Sequence, residues 1–87
     1  MTGLTETALA ALTPDRIVDA RGRACPGPLL EARKALPGVA VGNVLELWST
    51  DPGTRNDVGA WAAKVGHAFL GSLPADGYER VFVRRER

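Results

Sequence analysis

Prolines bound the first predicted helix of this chain, and they constrain the fold more than any other feature of the sequence. Pro26 and Pro28 stand where an apolar stripe of helical period begins, and Pro37 and Gly38 follow its end. Proline is tolerated in the first turn of a helix, where its missing N–H costs nothing, but it does not continue one. The sequence therefore predicts a helix from Pro26 to about Leu36.

A strand is predicted on each side of this helix, at residues 16–20 and 44–50. Because a strand–helix–strand crossover is almost always right-handed, we expect these two strands to be parallel. A second amphipathic helix is predicted from Val58 to Val65, with Asp57 as its N-cap. Gly66 is expected to end it in the left-handed conformation.

The remaining segments complete a small sandwich. Residues 67–73 and 78–85 are predicted to pair as an antiparallel hairpin. The resulting βαβαββ order predicts an α/β (α+β) two-layer sandwich, with a four-stranded mixed sheet and two helices on one face. Residues 1–14 are expected to form a flexible N-terminal extension, and residues 15–87 the folded domain.

Charge and hydropathy exclude several classes of protein. The 87 residues carry 11 basic and 10 acidic side chains, for a net charge of +1, whereas nucleic-acid-binding domains usually show a clear basic excess. The sequence has no apolar run of about twenty residues for a membrane span, and its N-terminus lacks the basic start of a secretory signal. We expect a cytoplasmic monomer that binds neither membrane nor, directly, nucleic acid.

The single cysteine, Cys25, stands directly before the first helix. One cysteine forms no internal disulfide and is too few for a cysteine-based metal site, so we predict no metal and no cofactor. A helix N-terminus favours an anion, which predicts a Cys25 thiolate with a lowered pKa. Gly27 is expected to keep the approach to the sulfur open. This setting suits a thiol that accepts a group and passes it to another protein's thiol.

Three stretches together indicate a family. CPGP is a C-P-x-P motif, and it is followed by DPGTRNDVGAW and by DGYERVFVRR. Over residues 15–86 the chain resembles the TusA/SirA family of small sulfur carriers. The resemblance implies that Cys25 accepts sulfane sulfur as a persulfide from a cysteine desulfurase or a rhodanese-like donor. It also implies relay to a downstream acceptor protein, in tRNA thiolation, molybdenum-cofactor assembly or related sulfur trafficking.

The resemblance also implies roles for the residues around Cys25. Ala24 stands where the family often has an arginine, so that neighbouring arginines are the candidates for contact with a partner. Asp51 is expected to lie near the helix start and to shape the docking surface. The supporting residues of the sulfur site are Pro26, Gly27, Pro28 and Asp51, and the partner-binding residues are Arg21 and Arg23.

Two other functions fit the same sequence. A non-catalytic regulatory or interaction module would use the arginine clusters and ignore Cys25. A single-thiol redox sensor would be oxidised at Cys25. A Cys–His hydrolase is disfavoured, because the only histidine, His67, has no orienting third group in the sequence. A sulfurtransferase is favoured over these alternatives.

Overall fold

The structure is a computed structural model, and it describes residues 5–87. It contains three α-helices, four strands and one short 3₁₀ helix that extends α2. The predicted order of elements is confirmed, with one helix added before the first strand. The elements are α1 (Glu6–Ala10), β1 (Arg16–Asp19), α2 (Gly27–Ala35), the 3₁₀ helix (Leu36–Gly38), β2 (Val44–Ser49), α3 (Thr54–Val65), β3 (Ala68–Ala75) and β4 (Tyr78–Arg84).

The four strands form one mixed sheet in the order β1-β2-β4-β3. β1 and β2 are parallel, with Ile17 opposite Glu46, and β4 pairs antiparallel with both β2 and β3. The predicted four-stranded α/β sandwich is thus confirmed. β3 continues through Pro74 to Ala75, beyond its predicted end. Because β3 is an edge strand, a proline there breaks no central ladder.

Helices α2 and α3 cover one face of this sheet and enclose the main core. Strand side chains alternate between faces, so Leu45 and Leu47 of β2 point together toward the helices. Both leucines are fully buried, as are Ala32 of α2 and Val58 of α3, which belong to the same cluster. Each buried leucine contributes about 1.5–3 kcal/mol relative to an exposed one, so this cluster fixes both helix axes against the sheet.

The short helix α1 lies on the other face of the sheet. Its Leu9 is 1% exposed and belongs to a second cluster with Leu70 and Phe82. Thr5 caps the helix through a hydrogen bond from the Ala8 N–H to its hydroxyl. The segment expected to be a flexible extension therefore places a leucine in a core. The domain boundary after residue 14 stays a prediction.

Helix α3 begins earlier than predicted. Gly53 occupies its N-cap position, and the Asp57 N–H already donates to the Gly53 carbonyl at 3.0 Å. Asp57 therefore lies inside the first turn, and its assignment as N-cap is wrong. The Pro52-Gly53 turn brings the backbone into the helix before Asp57 is reached, which frees the Asp57 side chain for another contact. Gly66 ends the helix with φ 89°, in the left-handed conformation predicted for it.

Candidate functional site

Two loops at one end of the sheet form the candidate site. One joins β1 to α2 and carries Cys25, and the other joins β2 to α3 and carries Asp51. Because β1 and β2 are parallel neighbours, the loops that leave their carboxyl ends lie side by side. A hydrogen bond of 2.9 Å from the Gly22 N–H to the Thr50 hydroxyl links them. The predicted parallel pairing thus brings together residues that are far apart in sequence.

Cys25 is exposed, and its thiol contacts a helix other than the one it precedes. Its S–H donates to Asp57 Oδ2, with 2.9 Å between the sulfur and the oxygen. Asp57 is a residue of the candidate site that the sequence alone does not indicate, because its position also fits a helix cap. The available signal was Thr54, which follows Pro52 and Gly53 and is itself suited to begin a helix. A helix that starts there carries Asp57 on its first turn.

The carboxylates around Cys25 raise the pKa of its thiol above the ordinary value. The largest cause is the hydrogen bond to Asp57, followed by desolvation and by the negative charges of Asp57 and Asp51. A thiol donates this bond only while it is protonated, so the bond favours the neutral form. The lowered pKa predicted from the helix N-terminus is wrong. The Gly27 N–H donates to the Ala24 carbonyl at 2.7 Å, and a carboxylate accepts the hydrogen bond of the sulfur.

Asp51 lies beside the thiol, as the sequence analysis expected of its position. Cys25, Asp51 and Asp57 each have one sulfur or oxygen atom within 4.8 Å of those of the other two. The Ser49 hydroxyl organises this loop: it accepts from the Asp51 N–H at 3.1 Å and bonds to the Thr54 hydroxyl at 2.7 Å. Within residues 5–87, the buried Oδ2 of Asp51 has no hydrogen-bond partner. Negative charge at the site is therefore poorly compensated.

The same three side chains are of the kinds that bind metal ions. Their sulfur and oxygen atoms lie within 4.8 Å of one another, an arrangement that acidic side chains often adopt without a bound ion. Binding would require Cys25 to lose its proton, which the two carboxylates oppose until a cation arrives. The expectation that the protein uses no metal stays a prediction.

The CPGP stretch shapes the start of α2. Pro26 occupies the N-cap position and Pro28 lies buried in the first turn. A Cβ at Gly27 would lie 3.0 Å from Cβ of Arg23, so the glycine makes room for this arginine. That it also keeps the approach to the sulfur open stays a prediction. Arg23 in turn pairs with Glu31 of α2 at 3.3 Å. The loop thereby folds back on its own helix.

Arg21, the other predicted partner-binding arginine, lies against the opposite face of the sheet. Its guanidinium donates to Asp19 at 2.7 Å and lies 4.9 Å from the ring centroids of both Trp48 and Tyr78. Hydrogen bonds from Arg21 hold the pKa of Asp19 below its usual range. Within residues 5–87, Asp19 thus has a cationic partner and Asp57 has none.

A shallow cleft separates the two loops. Its volume is about 230 Å³, which is below the usual size of a cofactor pocket. A side chain of a docked protein fits such a space better than a cofactor does. The cleft is lined by Gly22, Arg23, Ala24, Thr50, Asp51 and Pro52.

Comparison with known proteins decides the family. The sequence profile of the family described as sulfurtransferase TusA matches residues 16–85. The chain belongs to the TusA family. A putative sulfur carrier protein of Archaeoglobus fulgidus is 41% identical over 69 residues, which cover 79% of this chain and 94% of that protein. The sulfur carrier protein TusA of Pseudomonas entomophila is 33% identical over 75 residues, which cover 86% and 94%.

The fold is also that of a solved relative. The crystal structure of a SirA-like protein from Desulfitobacterium hafniense aligns with a TM-score of 0.71, covering 83% of this TusA-family chain and 99% of that protein. Because the two sequences are 24% identical, this likeness supports the fold alone. Among residues 5–87, no helix is both long and apolar enough to cross a membrane.

Proposed function

We propose that this TusA-family protein is a sulfur carrier that accepts sulfane sulfur on Cys25 as a persulfide and delivers it to a partner protein. One observation carries the proposal: the only cysteine of a TusA-family chain is exposed at the start of α2. The names of its relatives, which include sulfur carrier protein TusA, support the same role.

The chemistry is thiol–persulfide exchange. In loading, the Cys25 sulfur attacks the outer sulfur of a donor persulfide, a new S–S bond forms, and the donor leaves as a thiolate that takes up the proton of Cys25. In delivery, an acceptor thiolate attacks the outer sulfur held on Cys25 in the same way. Each step exchanges one S–S bond for another, so that neither an oxidant nor a reductant is consumed.

The partners follow from this chemistry. The donor is a cysteine desulfurase or a rhodanese-like protein, and the acceptor serves tRNA thiolation, molybdenum-cofactor assembly or related sulfur trafficking. Both dock over the cleft beside Asp51 and the exposed guanidinium of Arg23. Arg21, whose guanidinium lies over Trp48 and Tyr78, is the second proposed partner contact. Pro26, Gly27 and Pro28 hold the helix start that presents the thiol. We place this monomeric carrier in the cytoplasm, where a lone exposed cysteine stays reduced.

The two alternative functions have less support. Redox-sensing cysteines are accessible and have low pKa values, whereas the neighbouring carboxylates raise the pKa of Cys25. An anion-binding interaction module needs free cations, whereas Arg21 pairs with Asp19 and Arg23 pairs with Glu31. These exposed pairs weaken anion binding without preventing it, and a net charge of +1 adds no general attraction for a nucleic acid.

The test is intact-protein mass spectrometry after incubation with a cysteine desulfurase and free cysteine. We expect the wild-type protein to gain the mass of one sulfur atom and to lose it on treatment with a reductant. Cys25→Ser should fold normally and gain nothing, and a gain in both proteins would show that the adduct lies elsewhere. If the wild type gains no sulfur here, and none from thiosulfate with a rhodanese, the sulfur-carrier proposal is wrong.

A further inference from the structure

The hydrogen bond between Cys25 and Asp57 joins the proposed carrier thiol to a helix that the sulfur-transfer chemistry does not otherwise require. We propose that Asp57 is a further functional residue of the site, which holds the thiol of the unloaded carrier in its protonated form and protects it from soluble electrophiles and oxidants. The inference rests on the proposed sulfur-carrier function, because it concerns the state of that carrier between two cargoes.

Two independent features of the geometry support this role. The sulfur of Cys25 lies 2.9 Å from Oδ2 of Asp57, within direct hydrogen-bonding reach of a half-buried carboxylate. Asp51, from the other loop, has an oxygen within 4.8 Å of the same sulfur. A thiolate in this position would face two carboxylates at close range, whereas a neutral thiol gains a hydrogen bond. Both features also agree with the raised pKa of the thiol.

The cations of the adjoining segments do not offset these carboxylates directly. Arg23, in the loop that carries Cys25, pairs with Glu31 of α2 at 3.3 Å. Arg55, on the first turn of α3, pairs with Glu79 of β4 at 3.7 Å. The side chains that act on the thiol through hydrogen bonding or charge are thus both acidic.

Protonation matters because the thiolate is the reactive form of cysteine. In loading, Cys25–SH and a donor R–S–SH become Cys25–S–SH and R–SH, and the thiol proton passes to the leaving donor sulfur. The Sγ–Asp57 contact must open before Cys25 attacks. A docked donor is in a position to displace the β1–α2 loop and open this contact, whereas a small reagent meets it closed. Asp57 would therefore favour reaction with a docked partner over reaction with soluble compounds.

The first measurement is a pH titration of the Cys25 thiol in Asp57→Asn. It is monitored by the ultraviolet absorbance of the thiolate and by the rate of alkylation with iodoacetamide. We expect the variant to have a lower thiol pKa than the wild type. Near neutral pH its alkylation rate should rise about threefold for each unit by which the thiol pKa falls. The thiolate fraction grows tenfold per unit, while the nucleophilicity of the thiolate decreases. At pH values above both pKa values, both thiols are fully ionised, and the variant should react about threefold more slowly for each unit by which its thiol pKa is lower. A chelator in every sample keeps metal ions from masking the carboxylates.

Two further variants make the result specific to the contact. Asp51→Asn removes one charge from the same site but no hydrogen bond to the thiol, and it should lower the thiol pKa by less. Asp57→Ala removes the acceptor altogether and should act in the same direction as Asp57→Asn, with circular dichroism to confirm that α3 is retained. If the titration of both Asp57 variants superimposes on that of the wild type, or moves to higher pH, the inference is overturned.

The second measurement compares loading with alkylation. We expect Asp57→Asn to load sulfur from a cysteine desulfurase no more than about twofold faster than the wild type, because the docked donor already opens the contact. An increase equal to that of alkylation would overturn the preference for docked partners. The titration needs no sulfur donor, so its failure with a wild type that loads sulfur rejects this inference alone. A wild type that never loads sulfur rejects the proposed function.

Discussion

One face of the sheet and the loop end of the same sheet carry carboxylates in opposite situations. On the face away from α2 and α3, Glu46 is 2% exposed and is fully paired. Arg80 donates to both of its oxygens, at 2.8 and 3.3 Å, and the indole N–H of Trp48 donates at 2.6 Å. A buried charge is tolerated when such hydrogen bonds replace those it made with water.

In the part of the chain that the structure describes, the carboxylates beside Cys25 have no such set of donors. Asp57 accepts the hydrogen bond of a weak thiol donor, and a buried oxygen of Asp51 has no partner within residues 5–87. A buried polar atom without a hydrogen-bond partner lowers the stability of the fold. The negative charge that stays uncompensated there shifts the pKa of the neighbouring thiol. Glu46 therefore contributes to the stability of the fold, whereas the two aspartates lower it and raise the pKa of the thiol.

The largest effect should follow from removing the partner of Glu46. Arg80→Met leaves a carboxylate in the sheet that is 2% exposed and has one remaining donor, Trp48. Breaking a buried ion pair in this way costs about 3–5 kcal/mol, and because the Arg80 side chain is 31% exposed, we expect about 3 kcal/mol. Urea unfolding measures the loss of unfolding free energy.

The control for this prediction is the double variant Arg80→Met with Glu46→Gln. It removes the unpaired charge, and it should recover part of the lost stability. If Arg80→Met loses less than about 1 kcal/mol of unfolding free energy, the Glu46–Arg80 pair is as weak as an exposed surface pair. Glu46 would then contribute no more to the fold than the aspartates beside Cys25 do.

Local signals in the sequence were sufficient for most of the fold. The limits of α2 follow from Pro26 and Pro37, and the left-handed end of α3 follows from Gly66, because these residues restrict the backbone whatever surrounds them. The strands follow from alternation and turn residues, and the pairing of β1 with β2 follows from the handedness of the crossover. These elements match their predictions to within a few residues.

Tertiary contacts account for what the sequence did not predict. Cys25 and Asp57, whose side chains form a hydrogen bond, are 32 positions apart in the sequence. No local pattern distinguishes an aspartate that caps its own helix from one whose side chain reaches a neighbouring loop. The sign of the thiol pKa shift depends on that contact. Leu9 is similar, because a single leucine in a short helix gains its burial from the sheet, where Val44, Leu70 and Phe82 belong to its cluster. Motifs therefore predicted where the candidate site lies, but its electrostatics required the fold.

A smaller effect is expected when a carboxylate of the candidate site is replaced by the corresponding amide. Asp51→Asn removes a charge whose buried oxygen is unpaired and relieves its repulsion with Asp57. We expect the free energy of unfolding to rise by about 1 kcal/mol at neutral pH. Glu46→Gln, measured beside it, should lower stability, because it weakens an ion pair that is already complete. If Asp51→Asn and Glu46→Gln both raise or both lower the free energy of unfolding, the proposed difference between Asp51 and Glu46 is wrong.

The smallest effect is the pH dependence of stability that arises from Cys25. Its pKa is raised in the folded state, so the hydrogen bond to Asp57 stabilises the protein fully below the unfolded value of about 8.5. This stabilisation is lost as the pH rises through the folded pKa. Cys25→Ser offers a matched reference, because its hydroxyl can donate to Asp57 and does not titrate in this range. The melting temperature of the wild type should therefore fall relative to that of Cys25→Ser above about pH 8.5. If the helix N-terminus outweighed Asp57, the folded pKa would be lowered, and the wild type would instead gain on Cys25→Ser as the pH rose toward 8.5.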